Sequence, residues 1–160
     1  LYVGNHILGG GGMVSTLFEE VREKRGLSYS AYSYFSPMLF KGPFTAGLQT
    51  KTDQADEATS VLLENIKNYI EQGPTEEELI AAKKNIIGGY PLRIDSNSKI
   101  LNYVVVIGYY KLPLDYLETF NNNVEAVTIE SIKDAFKRRL SPDKLVMVKV
   151  GTPSNKKSED

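Results

Sequence analysis

The chain contains no cysteine, which removes disulfides, thiolate nucleophiles and cysteine-ligated zinc together. It has a single histidine, His6, whereas a catalytic zinc takes about three protein ligands, drawn mostly from His, Glu and Cys. Neither HxxEH nor HExxH occurs, and no nucleophile–histidine pair can form beyond what His6 alone could join. No metal site is expected within this chain. Basic residues are not in excess either: 19 Lys plus Arg against 20 Asp plus Glu leave a formal net charge of -1. Nothing is left over to neutralise phosphates, so nucleic acid is not an expected partner. No stretch approaches the roughly 18 consecutive apolar residues that cross a bilayer; the longest are pieces such as Val104 to Ile107. The lack of cysteine does not separate a cytosolic from an exported location. The chain opens at Leu1 without methionine and reads as a trimmed piece, so the missing signal peptide says nothing about the intact protein.

What remains is an ordinary globular composition. The 160 residues are 41% hydrophobic and 24% charged, enough for one compact domain with a core and too few for two. Leu1 to Leu8 reads as the end of a helix, broken by a loop of four glycines, Gly9 to Gly12, because glycine weakens helix through backbone entropy. Met13, Leu17, Phe18 and Val21 recur at helical spacing and Gly26 follows Lys24 and Arg25, which predicts a helix over about 13–25. From Leu27 the period becomes two, with Leu27, Tyr29, Ala31, Ser33 and Phe35 on one face, and Pro43 to Thr50 alternates again. These are read as adjacent antiparallel strands.

The second half is helical. Ala58, Leu62, Ile66, Tyr69 and Ile70 line one face of a helix ended by Gly73-Pro74. Thr75 and Glu78 form a capping-box pattern for the next, Ser96 to Ser98 offer caps for a third, a short helix follows Asp115, and Thr128 caps a last one. Lys144 to Val150 is predicted as a closing strand, and the tail 152–160 has nothing to bury. The expectation is an α+β domain over 1–151, a two-layer sandwich with a small, mainly antiparallel sheet and helices on one face, followed by a disordered tail.

Four glycines before a helix suggest an anion-binding loop, but a Walker loop ends in Gly-Lys-Ser/Thr where Met13-Val14-Ser15 stands, and the dinucleotide fingerprint lacks its later glycine. The charged run Glu19 to Arg25 reads, by itself, as a solvated helix face, and Tyr29, Tyr32 and Tyr34 as sheet surface.

The segment Leu8-Gly9-Gly10-Gly11-Gly12-Met13-Val14-Ser15-Thr16-Leu17-Phe18-Glu19-Glu20-Val21-Arg22-Glu23-Lys24-Arg25-Gly26-Leu27-Ser28-Tyr29 resembles the signature of the C-terminal, non-zinc domain of insulinase/pitrilysin-type zinc peptidases, the mitochondrial-processing-peptidase-like family. Gly73-Pro74-Thr75-Glu76-Glu77-Glu78-Leu79, Tyr90-Pro91-Leu92-Arg93, Ala126-Val127-Thr128 and Val148-Lys149-Val150-Gly151 follow in the family's order. Two features depart from it: Thr16 stands where many relatives carry arginine, and the opening strand and most of the first helix of such domains are absent, which would leave a sheet edge unpaired.

The resemblance implies a fold of that family, truncated at its N-terminus, and a bacterial protein for which the periplasm is favoured over the cytoplasm. It implies that zinc is bound not here but in a partner half bearing HxxEH, in the same chain or another subunit, within a homo- or heterodimer. An unfolded peptide would be enclosed between the halves. Arg22 and Tyr29 match the family's Arg and Tyr: Tyr29 would donate to the oxyanion and Arg22 would hold substrate carbonyls. Gly9, Gly10, Gly11 and Gly12 would form a substrate-contacting or mobile loop. The chain alone would not cleave peptides. Two other readings stay open, a non-catalytic scaffold like the related core subunits of the respiratory cytochrome complex, and a peptide-binding module that captures partners at an open edge.

Overall fold

The computed structural model describes residues 1–151; the predicted disordered tail, 152–160, lies outside the described residues. The elements run α1 (Tyr2–Asn5), α2 (Thr16–Phe18), β1 (Ser30–Phe35), β2 (Phe44–Gln49), α3 (Ala55–Gln72), α4 (Glu76–Gly89), α5 (Asn97–Tyr110), α6 (Tyr116–Glu125) and α7 (Ile129–Arg139). Both short N-terminal helices continue as wider π-type turns, α1 through His6–Gly10 and α2 through Glu19–Glu23. The sheet of the described residues is the antiparallel pair β1–β2, in register Ser30↔Gln49 to Phe35↔Phe44. This is the expected α+β arrangement, with the helical part larger and the sheet smaller than alternation suggested.

The stop and start signals act as the sequence implied. Gly73 takes φ 73 and ends α3, a conformation that L side chains rarely adopt. Thr75 caps α4 reciprocally: its N–H donates to Glu78 Oε2 at 2.7 Å while Glu78 N–H donates to Thr75 Oγ1 at 3.2 Å. Ser96 caps α5 and Thr128 caps α7.

One core joins the layers. Phe136 of α7 is fully buried, and its ring meets Phe35 edge-on at 5.6 Å and Tyr69 at 5.1 Å. The Tyr69 hydroxyl donates to Gly4 O at 2.8 Å. Burial pushes the Tyr69 phenol far above its ordinary pKa, with Glu78 adding to the shift. The apolar inner faces of α3 and α4, from Leu62 and Ile66 to Leu79 and Ile86, close the same cluster.

Three expectations are corrected. The glycine run is not wholly a loop: Gly9 and Gly10 are helical, because contact with β1 outweighs glycine's weak propensity. Helix α2 starts at Thr16 and not near Met13. Ser15 is extended (φ -90, ψ 150) and its Oγ donates back to Gly12 O at 2.7 Å, which holds Gly12–Val14 in a separate tight turn. Residues 145–150 form no strand, since no ladder partner among the described residues reaches them; Leu145 packs on the core, while Val146, Val148 and Val150 are exposed. A cleft of about 750 Å³ separates this stretch from β2. On α5, Leu101, Val104, Val105 and Tyr109 are exposed, and Ile107 is that helix's buried residue.

Candidate functional site

The reversal between α2 and β1 carries Arg22 and Tyr29. Gly26, at φ 62, donates to Arg22 O at 2.8 Å, and Leu27 N–H donates to Val21 O at 2.9 Å, so the helix closes and the chain turns back. Beyond it Leu27 and Ser28 are both buried. The Ser28 hydroxyl bonds Ser30 O at 2.7 Å and also the Gln49 carbonyl, and Thr50 Oγ1 donates to Leu27 O. These bonds fix an irregular entry to β1, and regular alternation begins only at Ser30. Tyr29 is consequently displaced from the buried face that strict period-two reading gave it: its side chain is 88% exposed, and no protein group among the described residues bonds its phenol.

Arg22 is also exposed, with its guanidinium carbon 4.9 Å from the centre of the Phe18 ring. The neighbouring cations are engaged elsewhere. Lys24 Nζ lies 3.0 Å from Glu19 and 2.7 Å from Glu20, and Arg25 also pairs with Glu20. Hydrogen bonds from Lys24 and Arg25 hold the Glu20 carboxyl below its usual range. Arg22 is thus the cation of the run Glu19–Arg25 that meets no carboxylate among the described residues.

A cleft of about 960 Å³ runs along β1. Tyr29, Tyr32, Tyr34, Phe18, Met13, Gly9, Gly10 and Gly12 are among its lining residues; Arg22 and Gly11 are not, though Arg22 reaches it through Phe18. The five predicted residues other than Arg22 therefore cannot be treated alike: Tyr29, Gly9, Gly10 and Gly12 share the cleft, whereas a Cβ on Gly11 would lie 2.6 Å from His6 O. Gly9 is buried, and a Cβ there would come 2.5 Å from both Ser33 N and Ser33 Oγ. Its smallness serves close packing on β1.

Asn5 escaped sequence reading. Its Nδ2 donates to Ser33 O at 2.9 Å and its Oδ1 accepts from Ser33 Oγ at 2.8 Å, which caps the outer edge of β1 at mid-strand. No pattern in the sequence links residues 28 positions apart. The apolar Met38-Leu39-Phe40 at the hairpin turn was readable, since large apolar residues are unusual there.

His6 is half-buried. Burial lowers its pKa, Arg93 lowers it further, and a hydrogen bond with Asn85 opposes them. Its Nε2 is buried without a hydrogen-bond partner among the described residues. No group of three or more His, Cys, Asp or Glu able to hold a metal occurs among the described residues, so these side chains do not fit a catalytic zinc. No helix of the described residues is long and apolar enough to cross a membrane.

Comparison with known proteins adds to this geometry. Residues 1–86 match the family model described as the peptidase M16 inactive domain. A Helicobacter pylori protein named non-peptidase homolog YmxG is 35% identical over 153 residues, 94% of this chain and 34% of that protein. A Bacillus subtilis protein named uncharacterized zinc protease YmxG is 31% identical over 147 residues, 89% of this chain and 35% of that one. Among solved structures, the peptidase M16 inactive domain from Pseudomonas fluorescens superposes with a TM-score of 0.83 at 40% identity, covering 89% of this chain and 34% of that chain. The chain thus spans about a third of the length of these relatives.

Proposed function

The chain belongs to the peptidase M16 inactive-domain family, and from that premise we propose that residues 1–151 act as the non-zinc half of a bacterial zinc endopeptidase. A zinc half bearing HxxEH, in the same chain or another subunit, would supply the metal and the water that attacks the peptide carbonyl. This half would supply Tyr29, whose phenol donates a hydrogen bond to the oxyanion as it forms, and Arg22, whose guanidinium holds substrate backbone carbonyls. Gly9, Gly10 and Gly12 would contribute cleft wall.

The observation that carries the reading is the state of these two side chains. Tyr29 presents an unengaged phenol at the cleft, and Arg22 an unengaged guanidinium stacked on a cleft residue, while the adjacent cations are paired. Glu19 and Glu20 are taken by Lys24 and Arg25, which leaves the Arg22 guanidinium available to a ligand.

A second reading, a non-catalytic scaffold of the same fold, is supported by the name non-peptidase homolog carried by the Helicobacter pylori relative. One experiment separates the two. In the full protein assembled with its zinc half, Tyr29→Phe is expected to lower kcat for a quenched fluorescent peptide by about 10²- to 10³-fold, the usual effect of losing one oxyanion donor. Near-normal kcat with zinc still bound would favour the scaffold.

A further inference from the structure

The cleft beside Tyr29 has a chemistry of its own. Its walls are mainly apolar and aromatic, and its charged lining residues among those described are Lys41 and Arg139, both cations; no carboxylate of the described residues lines it. Phe40 is 90% exposed and Met13 73% exposed at its rim, and Tyr32 and Tyr34 stack at 6.1 Å along its wall. Exposed large apolar groups gathered round a concavity mark a binding surface, and methionine adapts to varied side-chain shapes.

The cleft also limits how a peptide can lie in it. The outward carbonyl of Ser33 already accepts from Asn5, and Gly9 packs against the Ser33 backbone nitrogen. A continuous ladder along β1 is therefore interrupted at mid-strand. Recognition must come from side chains entering the cleft, with charge complementarity supplied by cations alone.

We propose that this cleft is the specificity site of the peptidase half, taking an unfolded peptide with a large apolar or aromatic side chain and a carboxylate close to it in sequence. The inference rests on the peptidase reading for its setting but not for its test. The aromatic side chain loses water against Phe40, Met13 and the tyrosine rings, and the carboxylate lies in the field of Lys41 and Arg139.

The full protein, zinc half included, is given three short quenched fluorescent peptides: one with phenylalanine and a nearby glutamate, one with serine in place of the phenylalanine, and one with lysine in place of the glutamate. Serine is expected to lower kcat/KM by roughly 10- to 100-fold, the discrimination an apolar pocket achieves. Lysine lowers it by a smaller factor, and Lys41→Glu reverses the preference between the glutamate and lysine peptides. Equal kcat/KM for the three, or an unchanged preference in Lys41→Glu, overturns the inference while leaving the peptidase reading intact. If no peptide is cleaved, that reading fails, and fluorescence anisotropy with dye-labelled versions of the same peptides decides the inference. The same ranking, reversed by Lys41→Glu, upholds it; equal affinities overturn it.

Discussion

Gly9 and Ser33 approach so closely that a Cβ on Gly9 would fall 2.5 Å from the Ser33 backbone nitrogen and 2.9 Å from Leu17 Cδ1. The α1 extension can rest on β1 only because that atom is missing. Gly9→Ala is expected to destabilise the chain by about 1–3 kcal/mol, the cost of overpacking a close contact, read as a melting point lower by several degrees. Gly88, in the last turn of α4, has open space around its would-be Cβ. Gly88→Ala should be neutral or stabilising by up to about 1 kcal/mol. Equal melting points for the two variants would show that Gly9 is not a packing glycine.

His6 makes the stability depend on pH. Its folded pKa lies below the ordinary value of 6.5, so the unfolded chain binds the proton more readily than the folded one. The contribution is fully present above pH 6.5 and is lost as pH falls from there through the folded pKa. The melting point of the wild-type chain should therefore fall on acidification from pH 7 into that window, and fall less in His6→Gln. Parallel pH profiles for the two proteins would remove His6 as the cause.

Elements announced by local chemistry were legible in the sequence. The caps at Thr75, Ser96 and Thr128 and the stop at Gly73 depend on residues within a turn of one another, and the structure keeps all of them. What failed depends on distant contacts. Helix at Gly9 and Gly10 requires Ser33, and a strand at 145–150 requires a ladder partner; neither condition can be read from nearby residues. The candidate pair Arg22 and Tyr29 was visible through the family resemblance, but the freedom of Arg22 was not, because it depends on which neighbours Glu19 and Glu20 select. The exposure of Tyr29 follows from the Ser28 anchor to Gln49, which breaks the alternation assumed for the strand.

The control for the catalytic test has to lie away from the cleft. Tyr32 lines the cleft together with Tyr29, so it is not a remote residue. Tyr109 on α5, exposed and outside that lining, serves instead, and Tyr109→Phe should leave kcat and KM unchanged. Arg22→Ala should raise KM as well as lower kcat, since a guanidinium on substrate carbonyls acts in the ground and transition states alike. Unchanged KM with active zinc half would remove Arg22 from substrate binding.

The outer edge of β2 is a further consequence of the small sheet. Ser36 N–H donates to Pro43 O at 3.0 Å; with the register Tyr34↔Thr45, Tyr32↔Gly47 and Ser30↔Gln49, those pairs exchange hydrogen bonds and the alternate residues do not. Phe44, Ala46 and Leu48 therefore turn their backbone groups away from β1, toward the cleft whose far wall is the extended stretch 145–150. The outer edge of β2 and the stretch 145–150, which form no ladder with each other among the described residues, thus face one opening, a template for pairing between copies. The 160-residue chain is expected to associate reversibly as its concentration rises in sedimentation velocity. Ala46→Pro deletes an outward N–H without touching the β1–β2 ladder, and proline is tolerated at that kind of edge position. It should suppress association while shifting the melting point of dilute protein little. Ala46→Val, which keeps the N–H and favours strand, should retain association. A chain that stays monomeric at every concentration, or an Ala46→Pro variant that associates like wild type, would show that this edge does not act as a pairing surface.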